Sequence, residues 1–568
     1  MSTGSEWAYE TDVVVVGSGA GALTAAVRAR DLGCEVLVIE KTDRYGGNSA
    51  MSGGVLWLPN SPLIPAGGGN DSAEEGKRYL HDVVDEPALA ERIDAFVDNI
   101  PGFIEYIHSA THLRFAVLPQ FPDMYPDNPA AKMHRCHEAL PFHGRVLPDQ
   151  EILALRPQHP QTTLFGRIGW TPSESLVLQA RGPGWKKVAF DMVARYLLDL
   201  PWRFRSLRDR RLVLGGALVG ALRRSMLDRK MPLWLNTPFE SFITDASGAV
   251  TGIVARKDGV SARIRARKGV ILASGGFEKS EEMRRSYLDQ PTDPRWSAGS
   301  PGNTGEVIRM ASEQLGAGLE FMDEGWWGPT VMMPGEPQAR MLIIEKNLPG
   351  SIIVNKAGRR FVNESSSYTK VIRDIFAANR PGEESIPAYM IFDATYRSRF
   401  PIGPMLPSNF QPDWAVSSSV KDAIPSAPDV RTLAGKLGID PEGLAKTVTD
   451  FNGYARAGKD PDFHRGDANY DRYYGYPHEL PNPCLGPLDT APFYGVRIYP
   501  GELGTKGGVA VDARARALRA DGSVIEGLYA IGNCSSPVTG TTYPASGSTL
   551  APAMVFGYVA GADVAGRQ

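Results

Sequence analysis

The most constraining feature of this sequence is a glycine-rich turn between an apolar strand and a helix near its start. Asp12–Val16 is a β-branched run, Gly17–Ala22 reads GSGAGA, and apolar residues then recur at helical spacing as far as Leu32. A second apolar run, Glu35–Ile39, ends at the acidic residue Glu40. This order of strand, turn, helix, strand and acid is typical of a dinucleotide-binding unit.

Each position in the turn has a physical role in such a unit. Gly17 permits the tight turn, Gly19 lets a pyrophosphate approach the helix N-terminus, and Ala22 allows the helix to pack closely on the sheet. Glu40 follows Ala22 by 18 residues, where a carboxylate can accept a hydrogen bond from a ribose hydroxyl. Nicotinamide and flavin dinucleotides both fit this pattern. The predicted contact residues are Gly17, Gly19, Ala20, Gly21, Ala22 and Glu40.

Composition excludes several classes of protein. The 568 residues include 61 basic and 64 acidic ones, which argues against a chain that coats nucleic acid. The four cysteines form no C-x-x-C pair, so we expect no disulfide framework, no metal site and an intracellular location. The longest apolar run, Leu212–Leu222, has 11 residues against the roughly 20 that a bilayer requires. Because Met1–Thr11 lacks an apolar segment, we expect no secretion signal.

A second glycine cluster follows the acidic residue directly. Residues 41–59 read KTDRYGGNSAMSGGVLWLP and resemble the flavin-binding segment of the fumarate reductase and 3-ketosteroid dehydrogenase superfamily. Its glycines let backbone amides approach phosphate and ring, and its small polar side chains can form hydrogen bonds. Since the segment contains no histidine, the resemblance implies noncovalent FAD. The predicted contacts here are Lys41, Gly46, Gly47, Asn48, Ser49, Met51, Gly53 and Gly54.

Two later stretches extend the resemblance to the middle and the end of the chain. KGVILASGGF at 268–277 resembles the strand beside the adenosine half, and GLYAIGN at 527–533 with the helix after it resembles the C-terminal flavin segment. The resemblance implies an α/β fold: a discontinuous Rossmann-like FAD-binding domain, residues 1–328 and 498–568, with an inserted α+β capping domain, residues 329–497. Further predicted FAD contacts are Ala273, Ser274, Gly275, Gly532, Asn533, Ser548 and Leu550.

The C-terminal loop indicates the substrate. Residues 522–565 contain no Arg, Lys or His, although carboxylate substrates are usually held by such cations, so a neutral substrate with a hydrogen-bond acceptor is predicted. The sequence GTTYPASGSTLAPA at 540–553 resembles the ketone-binding segment of the 3-ketosteroid 1(2)-dehydrogenase family, which implies that Tyr543 and the amide of Gly547 hold the ketone oxygen. RRFVNESSSY at 359–368 resembles the segment whose last tyrosine, here Tyr368, is the catalytic base.

The chain departs from this family at one position. The family's supporting tyrosine lies in a Pro-Asp-Tyr stretch, whereas this chain reads FPDMY at 121–125. Either Tyr125 replaces it with a shift of one residue, or the relay that lowers the pKa of the base is altered. We expect Phe121, Met124 and Tyr125 to contact the substrate, and His143 nearby to be structural.

An insert at about 185–226 combines apolar and basic residues. Within 186–224 there are ten cations and three acids, together with Trp202 and a break at Pro201. Helices with an apolar face, a basic face and interfacial tryptophan bind membrane surfaces. The alternative is an amphipathic helix pair that packs on the protein body with a solvated arginine face.

These observations predict an FAD-dependent 3-ketosteroid dehydrogenase that desaturates C1–C2 and passes electrons to a quinone-like acceptor. Two alternatives remain open at this stage. One is a 4(5)-desaturase or a dehydrogenase of smaller alicyclic ketones, and the other is an inactive flavin-binding protein that binds lipid surfaces. We expect a cytoplasmic protein, peripheral on the inner face of the cell membrane, with no nucleic-acid partner.

Overall fold

The computed structural model describes residues 7–179 and 183–567. Within those two ranges, no helix combines the length and the apolar character needed to cross a membrane. The chain folds around two sheets, and the residues that were predicted to bind ligands lie mostly at the junction between them.

The first sheet is largely parallel and carries the glycine-rich turn at the end of its strand Tyr9–Val16. That strand lies between Val36–Ile39 and Val260–Leu272, and Val524–Ala530 pairs with the latter, all in parallel. The four residues of Val36–Ile39 are all buried, as expected for a strand covered on both faces. The other strands of this sheet are Leu233–Trp234, Phe239–Thr244, Val250–Lys257 and Arg516–Leu518.

Helices from the two ends of the chain pack on each other beside this sheet. Ala20–Asp31 follows the glycine-rich turn, and Leu550–Ala565 lies against it. A Cβ added at Gly21 would lie 2.5 Å from the carbonyl oxygen of Ala553, and one at Gly557 would lie 2.6 Å from the oxygen of Gly21. The two helices can cross this closely only because glycine occupies both positions.

Two strands of the second sheet cross the boundaries that were predicted for the capping domain. Gly325–Val331 pairs antiparallel with Phe493–Thr505, and these strands run through the predicted boundaries at 328 and 497. The passage between the two parts therefore occurs within paired strands. The other strands of this sheet are Arg340–Met341, Ser351–Val354, Ala388–Phe392 and Ser426–Ala427, and its main helices are Tyr368–Ala378, Val430–Leu437 and Pro441–Ala457.

A third sheet is small and has three strands. Cys136–Ala139 lies between Val55–Trp57 and Phe115–Val117, and the helices Ala73–Val83 and Ala90–Ala110 lie in the same part of the chain. The remaining strands form the pairs Phe142–His143 with Arg211–Leu212, Thr163–Leu164 with Ile168–Gly169, and Leu319–Glu320 with Gly508–Val509. Further helices are Gly47–Met51, Asp149–Ala154, Glu281–Tyr287, Glu306–Leu315, Ala394–Arg399, Ser418–Ala423 and Asn469–Tyr473.

The basic apolar insert divides into two structurally different halves. Its first half comprises the helices Trp185–Leu198 and Leu200–Arg203, which follow Pro172–Gln179 and expose several large apolar side chains. Its second half, the helix Leu214–Asp228, is buried over most of its length and packs on Ala20–Asp31. The surface on which a membrane contact could form is therefore limited to the first half.

Candidate active site

A cavity of about 870 Å³ lies between the glycine-rich turns and the second sheet. Ligand sites commonly form at such junctions between structural layers. The cavity runs from the dinucleotide end, beside Gly17 and Glu40, past Tyr543 and out to Phe410 beside the insert. It therefore brings together residues that are several hundred positions apart in the sequence.

The dinucleotide end of the cavity depends on the absence of side chains. Gly17 has a φ of +111°, and a Cβ there would lie 2.3 Å from the carbonyl oxygen of Ala273. Gly19 is the residue immediately before the helix Ala20–Asp31, so the positive end of that helix points at the cavity. This geometry suits a pyrophosphate, as the sequence predicted.

The acidic residue at the end of the second strand also reaches the cavity. One carboxylate oxygen of Glu40 accepts a hydrogen bond from Ser18 Oγ at 2.5 Å, and the other accepts from the amide of Thr42 at 3.0 Å. Lys41, next to it, forms an ion pair with Glu306 at 2.5 Å. The hydrogen bonds fix the carboxylate at the rim of the cavity, where the predicted ribose contact would be made.

The second glycine cluster leaves room for a flat ligand. Gly47 and Gly53 line the cavity, and a Cβ added at either one would meet no atom within 4 Å. The empty volume beside these backbone atoms is what a flavin or phosphate group would fill, so the residues present fit FAD. The predicted contacts that line the cavity are Gly17, Gly19, Gly21, Ala22, Glu40, Lys41, Gly47, Asn48, Ser49, Met51, Gly53, Gly54, Ala273, Ser274, Gly275, Gly532, Asn533 and Leu550.

Three residues that were predicted to contact the cofactor, Ala20, Gly46 and Ser548, do not line the cavity and instead form hydrogen bonds with nearby residues. The Ala20 amide donates to Ser49 Oγ at 3.0 Å, and the Gly46 amide donates to Ser18 Oγ at 3.0 Å. Ser548 Oγ accepts from the amide of Ala545 at 3.2 Å. Their contribution to the site is therefore to hold the backbone of neighbouring residues.

The two predicted catalytic tyrosines meet at the other end of the cavity. The rings of Tyr368 and Tyr543 lie edge to face with their centroids 5.1 Å apart, and both side chains are buried. Tyr368 Oη lies 3.4 Å from Ser546 Oγ. Tyr368 is the first residue of the helix Tyr368–Ala378, whose N-cap Ser367 accepts from the amide of Lys370. The helix start thus fixes the direction in which the Tyr368 ring enters the cavity.

Gly547 is held against the small sheet in a conformation that requires glycine. Its φ is +96°, and a Cβ would lie 2.6 Å from the carbonyl oxygen of Val55 and 2.7 Å from the amide nitrogen of Trp57. Its amide lies close enough to the Tyr543 hydroxyl to lower the pKa of that phenol, although burial outweighs this effect. The two donors that were predicted to hold a ketone oxygen are therefore adjacent to each other.

Burial dominates the electrostatics of both phenols. It raises the pKa of Tyr543 to about 12 and the pKa of Tyr368 well above its ordinary value, to which the nearby phenols of Tyr543 and Tyr470 also contribute. Tyr543 is therefore protonated near neutral pH and can donate a hydrogen bond. Tyr368 has to lose its proton before it can act as a base.

Three further tyrosines complete this end of the site, and our reasoning from the sequence missed them. Tyr473 and Tyr474 line the cavity, and buried Tyr470 is close enough to Tyr368 to raise its pKa. The ring of Tyr473 lies at a tilt against Phe121, with the centroids 4.5 Å apart, and Phe121 also lines the cavity as predicted. The signal was available, since tyrosines at positions 470, 473 and 474 share one face of a helix.

Met124 and Tyr125 do not take the places that the sequence predicted for them. Neither lines the cavity, and the Tyr125 side chain is 37% exposed. The Met124 amide instead donates to the carbonyl oxygen of Pro544 at 2.8 Å, an oxygen that Tyr79 Oη also reaches at 2.8 Å. Because this hydrogen bond uses the backbone, it tolerates methionine at position 124. The segment anchors the loop that carries Tyr543 and leaves the substrate wall to other residues.

The wall beyond the tyrosines is mainly apolar. Glu336 and Arg340 line it, but they pair with each other at 2.7 Å and so present little net charge. The outer end of the cavity reaches the exposed rings of Phe165 and Phe410, and Phe410 lies 6.4 Å from Trp185 of the insert. The apolar residues along this wall include Met341, Ile343, Ile344, Met405 and Leu406. The arrangement suits a long, neutral, apolar substrate with a ketone at its inner end.

Comparisons with known proteins agree with this geometry. The FAD binding domain family model matches residues 12–550. The 3-oxosteroid 1-dehydrogenase of Mycobacterium tuberculosis is 40% identical to the chain over 573 aligned positions, covering 98% of this chain and 99% of that protein. The 4-oxocyclohexanecarboxylate 2-dehydrogenase of Sinomonas cyclohexanicum is 33% identical, covering 98% and 93%.

A solved structure is similar over its whole length. It is the crystal structure of 3-ketosteroid delta1-dehydrogenase from Sterolibacterium denitrificans in complex with 1,4-androstadiene-3,17-dione. The TM-score is 0.94 at 42% sequence identity, and the superposition covers 98% of this chain and 99% of that one.

Proposed function

The chain belongs to the FAD binding domain family and, within it, to the group of the 3-oxosteroid 1-dehydrogenases, and on this basis we propose that it desaturates the A ring of 3-ketosteroids between C1 and C2. It is an FAD-dependent oxidoreductase. The family resemblance, the fold class and the FAD cofactor predicted from the sequence are confirmed. That FAD is held without a covalent bond stays a prediction, based on the absence of histidine from residues 41–59.

The observation that carries the proposal is the convergence of Tyr543, Gly547 and Tyr368 on one end of an apolar cavity. The Tyr543 hydroxyl and the Gly547 amide donate to the ketone oxygen and so acidify the adjacent C–H. The Tyr368 phenolate takes the proton from C2, and the hydrogen on C1 leaves as hydride, so that the C1–C2 bond becomes double. Bound FAD supplies the two-electron acceptor for this reaction.

The residues that would hold FAD are those around the glycine-rich turns. The turn at Gly17 and Gly19 would receive the pyrophosphate, and Glu40 would accept from a ribose hydroxyl. The open backbone at Gly47 and Gly53 would lie along the flavin. Because the same cavity continues to Tyr368, a ketone held by Tyr543 would reach both the base and the cofactor.

We propose a quinone-like compound as the acceptor that reoxidises the enzyme. Its support is the apolar outer part of the cavity, which ends at Phe165 and Phe410 and suits a lipid-soluble ring compound as well as a steroid. The quinone would then enter through the same opening of the cavity as the steroid and accept the electrons there. A ping-pong pattern in steady-state kinetics with a short-chain quinone tests this proposal, and intersecting lines would contradict it.

We also propose a cytoplasmic protein that rests on the inner face of the cell membrane through the first half of the insert. Phe190, Leu198 and Phe204 expose 72%, 76% and 89% of their surface. Scattered exposed apolar side chains are ordinary, but three large ones in one short segment are typical of a contact surface. Lys186 is exposed beside them and would attract anionic lipid, whereas the exposed Lys187 pairs with Asp191 at 2.7 Å. Other cations of the insert are less available, since Arg210 and Arg211 are paired with carboxylates.

Vesicle flotation tests the membrane contact. A variant with Phe190, Leu198 and Phe204 all changed to serine should float less with vesicles that contain phosphatidylglycerol. Leu480→Ser is the matched control, because Leu480 is 81% exposed in the capping part. Equal flotation of the triple variant and the wild type would contradict the contact.

The function itself is tested by mixing the oxidised holoenzyme anaerobically with 3-ketosteroids. We expect the flavin absorbance to bleach and the product to be the 1,2-unsaturated ketone. A cyclohexanone carboxylate is the second substrate class to include, because a 33% identical relative is named for one. Bleaching only by that compound, or formation of a 4(5)-double bond, would replace the proposed substrate or position.

A further inference from the structure

Two cations hold the peptide that precedes the ketone-binding tyrosine. Arg373 Nη2 donates to the carbonyl oxygen of Thr541 at 2.6 Å, and Lys506 Nζ donates to the carbonyl oxygen of Thr542. These are the two residues directly before Tyr543. Neither cation lines the cavity, so neither contacts substrate in the geometry described above.

Arg373 connects the base to the ketone donor mechanically. It lies on the helix Tyr368–Ala378, whose first residue is the base. Through Arg373 this helix forms a hydrogen bond with Thr541, which lies in the loop that carries Tyr543. A change in the position of the helix therefore moves the loop as well, which keeps the two tyrosines in register.

Lys506 holds the next residue of the same loop, Thr542. Its side chain is buried, and its Nζ lies 4.4 Å from the centroid of the Trp326 ring. That ring packs edge to face on Tyr543 at 5.2 Å, and its Nε1 donates to Asn533 Oδ1 at 3.0 Å. Lys506 thus supports both the backbone before Tyr543 and the aromatic wall beside it.

A single carboxylate lies between the two cations. Glu324 Oε1 is 3.3 Å from Arg373 Nη2, and its other oxygen accepts from Trp327 Nε1 at 3.2 Å. Glu324 also attracts Lys506 electrostatically, whereas burial lowers the pKa of Lys506 to about 7. The charged groups that act on Lys506 are Glu324, which favours its charged form, and Arg373, which opposes it.

We propose that Arg373 and Lys506, the loop clamp, are positioning residues that fix the Tyr543 hydroxyl relative to the Tyr368 phenol. The inference rests on the proposed function, because it assigns the clamp a role in holding the ketone for proton removal. Rates of such reactions depend on positions to within about 1 Å, and a displacement of that size can cost about 100-fold. The clamp restricts the loop at two successive carbonyls immediately before the donor.

The experiment compares Arg373→Met and Lys506→Met with Lys370→Met in the FAD-loaded enzyme. Lys370 is a matched control, because it lies on the same helix but pairs with Asp374 on the surface. The rate constant of anaerobic flavin reduction by 4-androstene-3,17-dione should fall about 10- to 100-fold in both clamp variants. It should stay at the wild-type value in Lys370→Met. FAD content and melting temperature are measured alongside.

A second readout separates positioning from general loosening. The dissociation constant of 1,4-androstadiene-3,17-dione, followed by flavin absorbance at pH 7, should rise in both clamp variants by a smaller factor than the one by which the reduction rate falls. Arg373→Lys, which keeps a donor for the carbonyl oxygen of Thr541, should recover part of the lost rate, whereas a merely structural loss would not be recovered.

Two results would overturn the clamp. One is wild-type reduction by the steroid with no loss of rate in either methionine variant, and the other is a loss of rate that only follows a loss of bound FAD. If the wild type itself is not reduced by any 3-ketosteroid, the proposed function fails, and the inference that rests on it fails too.

Discussion

The rings of Tyr368 and Tyr543 lie edge to face with their centroids 5.1 Å apart, although the two residues belong to different parts of the fold and are separated by 175 positions in the chain. Tyr368 starts a helix on the second sheet, and Tyr543 belongs to a loop that rests on the small sheet through Gly547. Their contact defines the inner end of the cavity. The proposed base and the proposed hydrogen-bond donor thus face the same space.

Removal of the base should stop the reaction and leave the cofactor in place. In Tyr368→Phe we expect the rate of flavin reduction by a 3-ketosteroid to fall at least about 10³-fold, because phenylalanine has no oxygen that could accept the proton. The FAD content should be unchanged, since Tyr368 is not among the residues that would hold the pyrophosphate or the ribose. Rapid-mixing absorbance measures the rate. A decrease of less than tenfold would remove Tyr368 from this role.

Loss of the ketone donor should reduce the rate by less than loss of the base. Tyr543→Phe keeps the ring that packs on Trp326 and removes only the hydroxyl. An oxyanion-hole donor is worth about 10²- to 10³-fold in rate, and the Gly547 amide remains as the second donor. The measurement is again anaerobic flavin reduction, with Tyr473→Phe as the control for a cavity tyrosine outside the donor pair. Equal effects of the two substitutions would contradict the assignment of Tyr543.

The rate should rise with pH over the neutral range. Burial holds the pKa of Tyr368 well above its ordinary value, so only a small fraction is phenolate at pH 7. That fraction grows tenfold for each pH unit below the pKa, so the logarithm of the reduction rate at saturating steroid should increase with a slope near one from pH 6 to 9. Stopped-flow reduction in overlapping buffers measures it. A maximum near pH 6 would instead indicate a carboxylate or histidine base.

Filling the open backbone beside the predicted flavin position should weaken FAD binding without unfolding the protein. A Cβ at Gly53 meets no atom within 4 Å, so the side chain in Gly53→Val begins in open space and extends into the space that the ligand would occupy. We expect the dissociation constant of FAD to rise at least tenfold, measured by titration of the deflavinated protein. Gly435→Ala, on the helix Val430–Leu437 and also without neighbours within 4 Å, is the control. Unchanged FAD affinity in Gly53→Val would place the flavin elsewhere.

The sequence by itself determined the cofactor end of this protein. A close approach of phosphate or ring requires the absence of a Cβ, which is a property of single positions such as Gly17, Gly47 and Gly53, so the motif and its spacing contain most of the information. The resemblance also located Tyr368, Tyr543 and Gly547, because the residues around each of them form a recognisable local segment.

Only the tertiary structure decided which residues surround those three. It placed Tyr470 and Tyr474 beside the base and moved Tyr125 outside the cavity. In the structure the helix Leu214–Asp228 is mostly buried, whereas its composition had placed it in the basic apolar insert that was predicted to contact a membrane. These outcomes depend on contacts between residues far apart in the chain, whose formation is decided by the packing of whole sheets and helices. Local spacing shows that Tyr470 and Tyr474 share one face of a helix, but it does not record which distant segment that face contacts, and this is why the sequence could not supply the contacts themselves.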